Sequence, residues 1–295
     1  MIDRLPPLAL PDLAGRTAVV TGGTAGLGLA TCSALARAGA HVLLTARDPH
    51  RGSDAAGAVR AAAGPGAGPV GVLALDVASF ASVDALVEEW GTRPVDVLVL
   101  NAGRNGGRER RTTVDGHERT MATNALGHLR LVHGLLPALR SVSGRVVTVG
   151  SLMADRAQPS ASDLCLEHGW TPSRAYARSK FACLVLALEL PARAGLAATA
   201  AHPGWSVTKI FGSGRTAALG CGFARVSRLG QSPADGAQPI IAAAAGLADG
   251  SPYLGPRRTL VGPPAPAKLP AALADAALRA AWWEALCEHA EVPPA

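Results

Sequence analysis

The sequence predicts an open α/β fold: a doubly wound parallel sheet with helices on both faces. Three observations carry this expectation. Short β-branched runs alternate with longer alanine-rich stretches over the first two thirds of the chain. Runs such as Val97-Leu98-Val99-Leu100 are apolar without alternation, which suits strands buried on both faces. A glycine-rich turn joins the first such run to the first helical stretch, and sheets of this kind hold ligands in a crevice at their strand C-termini.

The elements follow in order. Thr17–Thr21 reads as the first strand and Leu27–Ala38 as the first helix. His41–Ala46 is a second strand, followed by a helix near Ser53–Ala63. The breaker Gly64–Pro69 (GPGAGP) precedes a third strand, Val70–Leu75, and a helix near Ser82–Trp90. Val95–Leu100 is the fourth strand, Glu118–Leu139 a single helix and Arg145–Val149 the fifth strand. A long helix over Ser173–Ala194 leads to a sixth strand at Ala197–Ala201. After Thr208 the pattern loosens: residues 209–231 are rich in glycine and arginine without periodicity. A helix near Pro233–Ala248, a short strand near Thr259–Val261 and a terminal helix near Ala271–His289 complete the reading. No internal repeat is visible, so one domain is expected over 1–295, with a variable loop at 209–231 and a C-terminal helical extension at 263–295.

Composition excludes several classes. With 295 residues, 48% hydrophobic and 17% charged, the chain buries a large core and is not a disordered protein. A net charge of +6 is mild and aromatics are only 4%, so no nucleic acid partner is expected. The apolar run Phe181–Leu188 stops at Glu189, short of the roughly 18 residues of a membrane span. The first residues lack the basic-then-apolar order of a secretory leader. The five cysteines are scattered without a CxxC pair, which fits free thiols and a cytoplasmic location. The eight histidines show no HExxH or similar spacing, and no metal is expected.

Three motifs carry chemistry. The first strand runs into Thr21-Gly22-Gly23-Thr24-Ala25-Gly26-Leu27-Gly28, a TGxxxGxG turn. Glycines there let backbone N–H groups approach a pyrophosphate at a helix N-terminus; the bland reading is a tight strand-to-helix turn. The second strand ends Ala46-Arg47-Asp48. An acid at that strand end bonds a ribose 2′-hydroxyl, whereas an arginine accommodates a 2′-phosphate. Arg47 thus suggests NADP, the alternative being a solvated loop arginine, and Asp48 is placed to cap the next helix. The sharpest signal is Tyr176-Ala177-Arg178-Ser179-Lys180, in a chain holding only two tyrosines and three lysines. At i and i+4 the two side chains share a helix face, and an ammonium beside a phenol stabilises the phenolate needed for acid–base work. The alternative is a surface pair on an amphipathic helix.

With these residues the chain resembles the short-chain dehydrogenases/reductases over roughly Leu13 to His289. Further matches are Leu75-Asp76-Val77, Asn101-Ala102-Gly103, Asn124 inside a helix, Ser151 after the fifth strand and Pro203-Gly204 after the sixth. Within that family it is similar to the retinol dehydrogenases, WW-domain oxidoreductase and their bacterial relatives, through Asp115–Leu129, Ala175–Leu190 and Ala201–Ile210. The resemblance implies a Rossmann-type sheet of order 3-2-1-4-5-6-7, NADP(H) as cofactor, a homo-oligomer, and a substrate loop at 209–231. It makes Tyr176 the proton donor/acceptor and gives Lys180 the phenolate and the nicotinamide ribose. Ser151 would bond the substrate oxygen, and Asn124 would position a relay water. Cofactor contacts would come from Gly22, Thr24, Ala25, Gly26, Leu27 and Gly28, from Arg47, Asp76 and Val77, and from Asn101, Ala102 and Gly103. Tyr176 and Lys180 would add to these, together with Pro203, Gly204, Ser206 and Thr208. One departure is Gly150, where relatives often carry a serine; another is Trp205, which either narrows the pocket or packs.

The expected function is an NADPH-linked ketoreductase or alcohol dehydrogenase acting on a medium-sized, largely apolar metabolite. A non-catalytic dinucleotide sensor and an epimerase or dehydratase using bound NADP are the alternatives. The arginines at 104, 108, 110 and 111 read as a solvated loop, with an acidic substrate group or partner as the second reading. His202 and the Trp282-Trp283 pair read as structural.

Overall fold

The computed structural model describes residues 5–206 and 230–294. Eight strands form one sheet in the order β3-β2-β1-β4-β5-β6-β7-β8. These are β1 (Thr17–Val20), β2 (His41–Ala46), β3 (Val70–Ala74), β4 (Val97–Leu100), β5 (Arg145–Val149), β6 (Ala197–Ala201), β7 (Tyr253–Pro256) and β8 (Pro264–Pro266). Pairings from β3 through β7 are parallel, and β8 runs antiparallel to β7. The order reverses between β1 and β4, which opens a crevice at their C-terminal ends.

All four residues of β4 are buried. Val97 and Val99 face a layer formed by α1 (Gly26–Arg37), α2 (Pro49–Ala63) and α8 (Pro233–Ala244), while Leu98 and Leu100 face the opposite one. That layer contains α3 (Phe80–Trp90), α7 (Pro172–Ala194) and α9 (Ala276–Ala290), with Trp282 and Trp283 buried in its core. An unbroken apolar run is thus what a two-sided burial demands.

Several expectations are corrected. The single helix over Glu118–Leu139 is divided into α4 (Arg119–Met121), a π turn (Ala122–Leu126), α5 (Gly127–Gly134) and α6 (Leu136–Arg140). Pro137 lies at the start of α6, where the missing N–H costs least. The seventh strand is Tyr253–Pro256, not Thr259–Val261; Thr259 has φ +63° and sits in the turn of the β7–β8 hairpin. The extension at 263–295 opens with a strand, and two of the three residues of β8 are proline. An edge position tolerates them because their missing donors have no further strand to meet. A 3₁₀ turn at Ala271–Ala274 precedes α9, whose first N–H groups bond to Asp275. Thr208 and most of the loop at 209–231 lie outside the described residues.

Candidate active site

The turn between β1 and α1 is shaped by backbone approach. Gly22 and Gly26 have φ of +65° and +58°, a region that glycine enters freely. A Cβ on Gly28 would lie 2.4 Å from Asn101 Nδ2 and 2.5 Å from the Gly22 carbonyl oxygen. Helix α1 has Ala25 at its N-cap, with no side-chain cap and no acidic residue in its first turn. By contrast, α2, α3, α7, α8 and α9 are capped by Asp48, Ser79, Thr171, Ser232 and Asp275. The first N–H groups of α1 therefore remain available to an anion, and the dipole favours one.

These groups open into a crevice of ≈ 1530 Å³ at the strand C-termini. It gathers every predicted site residue except two: Thr208, outside the described residues, and Asn124, buried one layer behind. A dinucleotide fits this crevice, because it offers free backbone donors at α1 and basic side chains at one end. Arg47 stands at that end beside Arg51, which the sequence reading missed although both follow the same strand. Asp48 accepts hydrogen bonds from the N–H groups of His50 and Arg51, so its carboxylate is occupied in capping α2.

Asn101 braces the glycine turn. Its Nδ2 donates to the carbonyls of Thr21 (2.8 Å) and Gly22 (3.1 Å). The hydroxyl of Thr21 in turn accepts from the Asn101 N–H at 2.9 Å and lies 2.9 Å from His128 Nε2. His128 Nδ1 donates to the Asn124 carbonyl at 3.0 Å, so Nε2 is the acceptor from Thr21. Burial pushes the His128 pKa down to about 4 and keeps the ring neutral. Asp76 makes a local turn, accepting from the Ala78 N–H, and Val77 is buried beside it.

On the other side of the crevice stand Ser151, Tyr176 and Lys180. Ser151 leaves β5 and accepts from the Met153 N–H at 3.2 Å. Tyr176 and Lys180 share one face of α7, with the ammonium 5.8 Å from the centre of the phenol ring. Lys180 Nζ donates to the Val149 carbonyl at 2.7 Å, which ties α7 to the end of β5. Asn124 lies within the π turn. Its side chain bonds the Arg104 N–H and carbonyl and Ser179 Oγ, and its own carbonyl accepts from Cys183 Sγ at 3.2 Å. Gly150 has a physical reason: a Cβ there would meet Leu184 at 3.0 Å and the Tyr253 ring at 3.2 Å. A side chain there would need Leu184 and Tyr253 to give by a few tenths of an ångström.

The basic loop after Asn101 is not uniformly solvated. Arg110 bonds Glu167 at 2.5 Å and the Leu166 carbonyl at 3.1 Å, while Arg111 pairs with Glu109. Arg104 lines the crevice with Arg119, and burial followed by the charge of Arg119 lowers its pKa. Trp205 is 51% exposed and lines the same crevice. His202 packs against Tyr253, accepts from the Gly204 N–H and is pushed to about 4 by burial.

A parallel sheet with a glycine-lined crevice where its strand order reverses defines the class of open α/β proteins that bind at a switch point. The chain belongs to the short chain dehydrogenase family, whose model matches residues 16–216. It is 40% identical over 195 residues to polyprenol dehydrogenase of Mus musculus, covering 64% of this chain and 57% of that protein. It is 37% identical over 205 residues to retinol dehydrogenase 14 of Mus musculus, with 64% and 61% covered. The chain thus spans about three fifths of the length of these relatives. A solved structure of an uncharacterised protein from Mycobacterium paratuberculosis aligns over 97% of both chains, at 32% identity and a TM-score of 0.76. Among the described residues, no helix is long and apolar enough to cross a membrane.

Proposed function

We propose that the chain is an NADP(H)-dependent oxidoreductase that interconverts a carbonyl and an alcohol on a medium-sized, largely apolar metabolite. The observation that carries this reading is the meeting of Ser151, Tyr176 and Lys180 in the crevice onto which the uncapped start of α1 opens. The bound nicotinamide supplies the hydride for reduction and accepts it in oxidation. Tyr176 donates the proton to the carbonyl oxygen through its hydroxyl. Lys180, anchored on the Val149 carbonyl, would stabilise the phenolate left behind and hold the nicotinamide ribose with its remaining protons. The Ser151 hydroxyl donates to the oxygen as charge develops on it, a role of the oxyanion type. Asn124 holds the loop at Arg104 against α7 through Ser179 and acts as a positioning residue. Leu152, Met153, Trp205 and Leu260 line this end of the crevice and favour an apolar substrate body.

The test is NADPH consumption against a panel of ketones and aldehydes, with the alcohol product quantified. One alcohol per NADPH is expected, and Tyr176→Phe should lower kcat by about 10²–10⁴-fold while leaving NADPH affinity near that of the wild type. Product formed without net NADPH consumption would instead identify an epimerase or dehydratase. Cofactor binding without turnover on any carbonyl would identify a sensor.

A further inference from the structure

His117, Cys165 and His289 come from three distant parts of the chain, so no local spacing announces them. His117 lies in the turn before α4, Cys165 in the insert between the 3₁₀ turn at Leu152–Arg156 and α7, and His289 in the last turn of α9. Their ligand atoms all fall within 4.8 Å of one another. Cys165 Sγ is 3.9 Å from His289 Nδ1, and the two imidazole centres are 5.5 Å apart with planes at 76°. His117 Nε2 is buried and has no hydrogen-bond partner. An orphaned buried nitrogen calls for an explanation, and a cation shared with the thiolate and the second imidazole supplies one.

We propose that His117, Cys165 and His289 form a binding site for a zinc ion, separate from the active-site crevice. The ligand set is the one a borderline-soft ion prefers: one thiolate and two neutral imidazoles, with a fourth position left for water. Tetrahedral zinc, with Zn–S of ~2.3 Å and Zn–N of ~2.0 Å, sets its ligand atoms roughly 3.3–3.6 Å apart. The cluster reaches that by closing about an ångström through side-chain rotation. The ion would displace the Cys165 thiol proton to solvent. The site joins the C-terminal helix to the insert that flanks the active site. That insert is itself held to α7 by Arg178, which donates to the Leu164 and Ser162 carbonyls at 3.2 and 2.6 Å. Zinc would therefore brace the wall behind Tyr176 without touching it.

The experiment uses the full chain stripped with a chelator and then titrated with Zn²⁺ or Co²⁺. One equivalent of Zn²⁺ is expected to bind and raise Tm. Co²⁺ should give a thiolate-to-metal charge-transfer band that disappears in Cys165→Ser. His117→Ala, at the half-buried edge of the cluster, should weaken Zn²⁺ at least about tenfold while its metal-free Tm stays near that of the metal-free wild type. If Cys165→Ser does not fold, the His117→Ala titration decides alone. No stoichiometric uptake by the wild type overturns the proposal, as does unchanged affinity in His117→Ala or a cobalt band that survives in Cys165→Ser.

Discussion

Arg47 and Arg51 stand on one wall of the crevice, at the end of β2 and in the first turn of α2. The acid between them, Asp48, is engaged by two backbone N–H groups, and in the proposed NADP(H) reading the guanidinium groups would meet a 2′-phosphate with charge-assisted hydrogen bonds. Such bonds are worth about 1.5–3 kcal/mol, less screening at an exposed site. On the proposed reading this predicts roughly a ten- to hundredfold preference for NADPH over NADH. Arg47→Asp should weaken NADPH by that factor and leave NADH almost unaffected, read from paired fluorescence titrations at fixed ionic strength. Equal affinity of the wild type for the two cofactors would return Arg47 to a solvated loop. For Ser151→Ala, loss of one donor to the reacting oxygen should lower kcat by about 10²-fold, with a loss of stability no larger than that of one cap, about 0.5–2 kcal/mol. A rate equal to wild type would leave that serine only its hydrogen bond to Met153.

Two glycines separate tolerance from intolerance at the level of the element. In α1, a Cβ at Gly28 would press on the Gly22 carbonyl and on Asn101 Nδ2. Because one of these contacts is backbone, relief means displacing the turn proposed to cradle the cofactor. Gly28→Ala should therefore cost about 1–3 kcal/mol of stability and weaken NADPH binding by an order of magnitude or more. In α2, Gly57 has nothing within 4 Å of its would-be Cβ, and Gly57→Ala should stabilise the fold by about 0.5–1 kcal/mol. Urea denaturation of the two variants, with NADPH titration of the folded proteins, checks both. A Gly28→Ala protein that binds NADPH like the wild type would mean that the turn does not set the cofactor's position.

Across the whole molecule, acid sensitivity follows from two buried histidines. His128 and His202 both have pKa values lowered to about 4 from 6.5, mainly by burial. The unfolded chain therefore takes up protons at these positions before the folded one does, and stability falls as pH drops. The contribution is complete above about pH 6.5 and is lost progressively down to about pH 4, at close to 1.4 kcal/mol per pH unit for each ring. Denaturation midpoints at pH 7, 5.5 and 4.5 should fall in that order, and His128→Gln should flatten the dependence. His128 also bonds Thr21, on which the Asn101 N–H rests, so its protonation would disturb the turn between β1 and α1.

The sequence alone determined the alternating strands and helices, the glycine turn, and the Tyr176–Lys180 face. All of these depend on spacings of a few residues, where helical and strand periodicity act directly. It also determined the bounds of β2, β5 and β6. Tertiary structure decided the rest. The helix after β4 widens into a π turn around Asn124, whose carbonyl accepts from the side chains of His128 and Cys183 and whose side chain bonds Arg104 and Ser179. The seventh strand falls at Tyr253–Pro256 because an antiparallel proline-rich partner completes it. Gly150 is explained only by the Tyr253 ring above it, and the His117–Cys165–His289 cluster only by the docking of α9 against the insert before α7. Contacts between residues a hundred positions apart leave no local pattern, because nothing in the spacing of either partner changes until the sheet has brought them together.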